Sequence, residues 1–160
     1  MSNGIVTADQ QLVVSLLDYG AGNVRSVRNA IKQLGYSIRD ISSPEDIAAA
    51  AVIVFPGVGS FGNAMDTLNA KGFTEPLKAY LAQDRPFFGI CLGMQTLFEG
   101  SEESPAHAGL GLIAGTVQRF DSSKVSVPHI GWNGVLRHRR SHVLDALQAD
   151  DTVYFVHSYR

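Results

Sequence analysis

Continuous apolar runs alternate along the chain with stretches in which apolar residues recur every three or four positions. LVVSLLDY (12–19) is a continuous run with β-branched content, the pattern of a strand buried within a sheet. GAGN interrupts it. NVRSVRNAIKQLG then sets Val24, Val27, Ala30, Ile31 and Leu34 on one helical face, and Gly35 stops the helix. YSIRDI predicts a second, short strand. Ser43-Pro44-Glu45-Asp46 opens a short helix, and AAAVIVF (49–55) predicts a third strand. PGVGSFG is a loop leading into helical patterns around 63–70 and 73–83. PFFGI (86–90) predicts a fourth strand, and LGMQTLFEG a helix ended by Gly100.

After residue 105 the pattern changes. GLGLIAGTVQRFD, VSVPHIGWNGVLR and DTVYFVHSYR are strand-like pieces separated by glycine and proline turns, with one or two helical turns in SHVLDALQ. No repeat, low-complexity tract or linker interrupts the chain. Strand–helix alternation predicts an α/β fold, an open and mostly parallel sheet with helices on both faces. A β-rich C-terminal portion follows within the same domain. Residues 1–11 read as an N-terminal extension and 12–160 as the domain.

Composition narrows the function classes. The 160 residues are 45% hydrophobic, enough for one globular core. A formal net charge of −2 gives no reason to expect nucleic acid or an anionic membrane as a partner. The single cysteine excludes an internal disulfide, and no Cys/His spacing suggests a zinc site, so no metal or cofactor is expected. No apolar run is long enough to span a bilayer. MSNGIVTADQQ has neither the charged and apolar regions of a signal peptide nor the arginine of a transit peptide. A cytoplasmic location is expected, or a plastid if the protein is of plant type.

The lone cysteine stands out. In FFGICLGMQ, glycines lie two before and two after Cys91, between a predicted strand and a predicted helix. A sharp strand-to-helix turn strains its central residue and admits only small neighbours, the logic of the nucleophile elbow in serine hydrolases. Such a side chain projects at the carboxyl end of the sheet, where open α/β folds bind ligands. The positive end of the following helix would favour thiolate there. The N–H of Leu92 would face an oxyanion formed by attack on a carbonyl. A plain buried cysteine in a core strand would need neither glycine. The second glycine loop, FPGVGSFG (55–62), offers amides for another oxyanion donor or a ligand nest, or serves as an ordinary turn. GAGNVRSV lacks the third glycine of a dinucleotide fingerprint, and only Asp40 supplies an acid at the end of the second strand.

GICLGMQ (89–95) with PGVG (56–59) resembles the class I, triad-type glutamine amidotransferases. DYGAGN (18–23), PHIGWN (128–133) and YFVHSYR (154–160) narrow the resemblance to the glutaminases of imidazole glycerol phosphate synthesis, especially the eukaryotic type fused to its cyclase. The resemblance covers the chain from about Leu12 onward. It implies that Cys91 attacks the side-chain amide of glutamine, releases ammonia and forms a glutamyl thioester that water hydrolyses. Leu92 and Val58 would supply the oxyanion hole. Gly57, Gly59, Gln95, Glu103, Ser158 and Tyr159 would hold glutamine. Asn23, Trp132, Asn133 and Tyr154 would face a cyclase barrel, the partner that converts the ammonia into imidazole glycerol phosphate and aminoimidazole carboxamide ribotide for histidine biosynthesis.

One family element does not appear. The triad is completed by a His-x-Glu pair, and none of the five histidines has glutamate two positions on. His129 and His157 read as structural, and His138 and His142 as part of a solvated hairpin beside Arg137, Arg139 and Arg140. The chain is therefore expected to be C-terminally truncated and by itself inactive. Three other readings stay open: a non-catalytic glutaminase-like docking module, the glutaminase of another class I amidotransferase, and a redox or chaperone-like member of the wider cysteine-elbow superfamily.

Overall fold

The computed structural model describes residues 12–20 and 23–160. The proposed N-terminal extension and two residues of the GAGN turn lie outside them. Four parallel strands form the main sheet: β1 (Val13–Leu16), β2 (Ser37–Asp40), β3 (Val52–Gly57) and β4 (Phe87–Cys91), in the order β2-β1-β3-β4. The helices between them are α1 (Val24–Gln33), α2 (Pro44–Ala49), α3 (Phe61–Ala70) and α4 (Thr74–Leu81). Strand alternation sends β1 and β3 side chains to two faces. On one, Val14, Leu16, Val52 and Val54 pack against Val24, Val27 and Ile31 of α1. On the other, Ile53 and Phe55 meet Ile47, Ala64, Leu68, Leu77 and Tyr80 from α2, α3 and α4. The parallel sheet with helices on both faces is as the alternation predicts. Each fully buried Leu, Ile or Phe in these layers contributes roughly 1.5–3 kcal/mol.

Two expectations need correction. Ala30 and Leu34 do not share the buried face of α1, and Leu34 is 72% exposed. Leu34 is already the cap residue, with Gly35 turning at φ +86°, so the last apolar position falls past the edge of the sheet. The helix after Cys91 is a single turn, α5 (Leu92–Gln95), and Phe98–Ser101 is a strand, β5. The carbonyl of Leu97 accepts from the N–H groups of Leu112 (2.9 Å) and Ile113 (3.0 Å), and β5 pairs in parallel with β6 (Ile113–Val117). Sheet bonds to a segment 15 residues away along the register thus replace the helical ones. Gly100 is a strand residue, not a helix stop.

Residues 118–160 form a second compact unit, and none of them is buried. Its frame is the antiparallel pair β7 (His129–Gly134) and β8 (Thr152–His157), with Trp132 opposite Tyr154. Segment 118–120 also pairs with 158–160 through Gln118–Arg160 bonds of 2.8 Å in each direction. The 138–145 stretch carries one 3-10 turn at His142–Leu144, with His142 exposed.

The start of α2 yields a pH prediction. The backbone N–H groups of Ser42 and Ser43 both donate to the Asp46 carboxylate at 2.9 Å and hold its pKa below the ordinary carboxylate value. A depressed carboxylate contributes stability above its unfolded pKa and loses it as pH falls through the lower folded value. Asp46→Asn should therefore lower the melting temperature at neutral pH, and the gap from the parent should close below about pH 4. A gap independent of pH would mean that the carboxylate charge is not what stabilises the turn.

Candidate active site

Strand β4 ends at Cys91 and α5 begins at Leu92, so the cysteine stands at the turn itself. Its backbone lies at φ 54°, ψ −114°, a conformation that costs an L residue strain and persists only when its surroundings enforce it. The neighbouring glycines show what enforces it. A Cβ on Gly89 would lie 2.7 Å from Met94 Cα, and one on Gly93 only 1.9 Å from the carbonyl oxygen of Phe55. A Cβ on Gly57 would lie 2.8 Å from the nitrogen of Gly93. The end of β3, the end of β4 and the first turn of α5 are wedged together at distances only hydrogen permits. Gly93→Ala should therefore cost about 3 kcal/mol, the upper end of the usual overpacking range, read as a fall in denaturation midpoint. A near-normal midpoint would show that the wedge yields easily.

Cys91 is exposed and unpaired in any disulfide. The N–H of Leu92, first residue of α5, has no partner within the helix and lies next to the thiol-bearing residue. Since α5 is one turn long, the dipole of a full helix is not available at this position. Gln95, also on α5, is buried.

The PGVG loop leaves β3 beside the elbow, because the β3–β4 register pairs Gly57 with Cys91. Gly59 takes φ +100°. Val58, expected to donate to an oxyanion, has its N–H 3.1 Å from the Tyr19 hydroxyl, which in turn donates to the Val58 carbonyl at 2.6 Å. Burial pushes the Tyr19 phenol above its usual pKa. The hydrogen bond to Val58 opposes the rise, and the charges of Cys91 and Asp18 add to it. Sequence reasoning missed Tyr19. The available signal was a hydroxyl-bearing aromatic closing an apolar strand immediately before a glycine turn.

At its far end the loop enters α3 through Ser60, whose hydroxyl accepts from the N–H of Asn63. The Glu103 carboxylate accepts from the N–H of Phe61 at 2.8 Å, and the Ser104 hydroxyl from that of Gly62 at 3.0 Å. Three of the four N–H groups left open at a helix start are thus satisfied, with a negative charge at the positive end of α3. Glu103 braces the loop through this bond. Asp40, the acid a dinucleotide site would use, is ion-paired with Arg28. Asn23 caps α1, its side-chain oxygen accepting from the N–H and hydroxyl of Ser26.

The remaining expected site residues lie in the second unit. Trp132 and Tyr154 face one another with ring centroids 5.5 Å apart, 69% and 54% exposed, on the same hairpin face as exposed Ile130 and Val156. Asn133 alternates to the opposite face, where its side-chain oxygen lies 3.0 Å from His129 Nε2. His157 Nδ1 lies 2.9 Å from the carbonyl of Tyr159, and its Nε2 lies 3.1 Å from His129 Nδ1. Both imidazoles are engaged within the hairpin, as a structural role requires. The Ser158 carbonyl accepts from the N–H of Phe120. Among the described residues no group of three or more His, Cys, Asp or Glu side chains is placed to hold a metal ion.

The family profile described as "Glutamine amidotransferase class-I" matches residues 15–160. The chain belongs to the class I glutamine amidotransferases. Among relatives of this amidotransferase, the chloroplastic imidazole glycerol phosphate synthase hisHF of Arabidopsis thaliana is 56% identical over 149 residues, covering 92% of this chain and 25% of the relative. The hisHF protein of Schizosaccharomyces pombe is 48% identical, with 92% and 28% covered. The imidazole glycerol phosphate synthase subunit HisH of Desulfitobacterium hafniense is 44% identical over 147 residues, with 92% and 69% covered. The amidotransferase chain thus spans about a quarter of the fused relatives' length. A crystal structure titled as a glutamine amidotransferase superposes with a TM-score of 0.66 at 16% identity, covering 92% of this chain and 70% of that one, a likeness of fold. Among the described residues no helix is long and apolar enough to cross a membrane.

Proposed function

We propose that this chain is the glutaminase part of an imidazole glycerol phosphate synthase, with residues 12–160 belonging to one amidotransferase domain. The observation that carries the reading is the elbow: an exposed cysteine held at positive φ by glycines that leave no room for a side chain. The names of the relatives direct it to histidine biosynthesis. Cys91 attacks the side-chain amide of glutamine; the C–N bond breaks, ammonia leaves, and water then releases glutamate from the thioester. The Leu92 N–H meets the oxyanion, with Val58 as the second donor. Gln95, Glu103 and the backbone of Gly57 and Gly59 hold the substrate. The exposed Trp132–Tyr154 face suits docking on a cyclase barrel, fused or separate; Asn133 lies on the other hairpin face, beside His129. Asn23, at the start of α1, is a separate docking candidate. The compartment is the cytoplasm, or a plastid as in the Arabidopsis relative.

Loss of ammonia needs a general acid within reach of the leaving nitrogen, oriented by a carboxylate. The 160 residues contain no His-x-Glu pair to serve. The 160-residue chain is therefore expected to release essentially no glutamate from glutamine, even with a cyclase added. The same chain extended by the C-terminal segment of the Arabidopsis relative should do so. Glutamate release by residues 1–160, lost on Cys91→Ala, would place the base within this chain. No release by the extended chain with its cyclase would favour a docking module without catalysis.

A further inference from the structure

We propose that Tyr19 is a positioning residue for the oxyanion loop: its hydroxyl holds the Val58 peptide by both polar groups, and the Val58 N–H reaches a reacting carbonyl only once that hold is broken. The inference rests on the reading of Cys91 as nucleophile and of the PGVG loop as its oxyanion partner.

The geometry is specific. A phenol has one O–H to give and lone pairs to accept. Tyr19 gives its proton to the Val58 carbonyl at 2.6 Å and accepts the Val58 N–H at 3.1 Å, across 39 positions of sequence. One hydroxyl therefore engages both backbone polar groups of a residue at the centre of the loop. The two sides of this contact differ in freedom. The Tyr19 ring is 7% exposed and meets the Phe55 ring edge-on at 5.7 Å. Phe55 is itself buried, with its carbonyl against Gly93 of the elbow. The ring is thus fixed to the nucleophile's own scaffold. Val58 is 48% exposed and lies between two glycines, and a Cβ on Gly59 would meet nothing within 4 Å. When the contact breaks, the loop moves and the tyrosine stays.

The chemistry sets the direction of the effect. An oxyanion is a stronger acceptor than a neutral phenol, because a hydrogen bond to a charged group is shorter and about twice as strong. It competes with Tyr19 for the same N–H and pulls it away once negative charge develops. The phenol also lies within the electrostatic reach of Cys91, so charge on the sulfur is felt at the hydroxyl that holds the loop. Before that charge appears the donor is occupied. The hydroxyl thus restrains a thiol that would otherwise face a ready oxyanion site.

Tyr19→Phe keeps the ring and its packing on Phe55 and removes only the hydroxyl. In the 15N-labelled 160-residue chain, hydrogen exchange of the Val58 amide should accelerate at least about tenfold in the variant, with exchange at core amides such as Ile53 and Leu68 unchanged as the check on folding. A second measurement compares two reagents at Cys91. With a chloromethyl ketone analogue of glutamine, the thiolate adds to the ketone carbon and the C=O electron pair becomes an oxyanion; sulfur then displaces chloride from the adjacent carbon as the carbonyl reforms. With iodoacetamide, the thiolate displaces iodide with no oxyanion. The ratio of ketone to iodoacetamide rates should rise about three- to tenfold in Tyr19→Phe. Unchanged Val58 exchange would overturn the proposal. So would an unchanged ratio, and a falling ratio would make the hydroxyl a donor to the oxyanion rather than a restraint. Ketone labelling of the parent that misses Cys91, or that glutamine does not slow, would instead refute the glutaminase reading, while Val58 exchange would still report whether Tyr19 holds the loop.

Discussion

Cys91→Ser, in the chain extended by a relative's C-terminal segment and joined to its cyclase, should abolish glutamine-dependent synthesis while synthesis from added ammonia continues. Serine fits the same turn, since the elbow is enforced by Gly89, Gly93 and Gly57 and not by sulfur. The two side chains differ in chemistry: sulfur is a far stronger nucleophile than a hydroxyl oxygen, which needs a strong base to react. Removing the nucleophile should therefore cost about three orders of magnitude or more in glutamine turnover. The ammonia-dependent rate belongs to the cyclase and should change less than about twofold. A parallel fall in both rates would mean that the cysteine supports folding or docking rather than catalysis.

Gly59→Val should lower glutamine turnover by about two to three orders of magnitude, the usual cost of losing one oxyanion donor. Gly59 stands at φ +100°, which a β-branched residue scarcely adopts, so valine must rotate the peptide that follows Val58. A Cβ there would meet nothing within 4 Å, so the first carbon added meets no neighbour. The stability cost should stay within the 1–3 kcal/mol or so of a strained backbone position. The kinetic loss should then exceed what the melting temperature accounts for, and it should appear in kcat more than in KM. A marked fall in melting temperature with normal residual turnover would reduce the loop to an ordinary turn.

The strength of local signals decided how much of this site was visible in the sequence. The order β1-α1-β2-α2-β3 and the paired helices after the PGVG loop follow from apolar periodicity and from breakers at Gly20, Gly35 and Pro44. The elbow was visible because two glycines flank a cysteine at equal spacing, a cost in chain entropy that a plain strand has no reason to bear. The end of α5 was not, since LGMQTLF is as good a helix as a turn-and-strand. Only the pairing of β5 with β6 settles it. The roles of Tyr19 and Glu103 were also hidden, for the same reason. Each acts on a backbone N–H about 40 residues away, Val58 and Phe61, and no spacing rule joins such positions. The opposite facing of Asn133 and Trp132 was readable from strand alternation alone. The motif PHIGWN draws attention as a block and conceals it.

The pairing of Gly57 with Cys91 at the ends of β3 and β4 bears on how this protein tolerates change. The interval between Gly57 and Cys91 is an inter-strand spacing of about 4.8 Å, set by peptide geometry. No side chain spans the Gly57–Cys91 interval itself, whereas the loop beyond Gly57 is still held by Tyr19 and Glu103. The helices can exchange one apolar residue for another without altering where Gly57 and Cys91 stand. The tolerance ends abruptly at the three wedged glycines, where a single methyl group meets backbone.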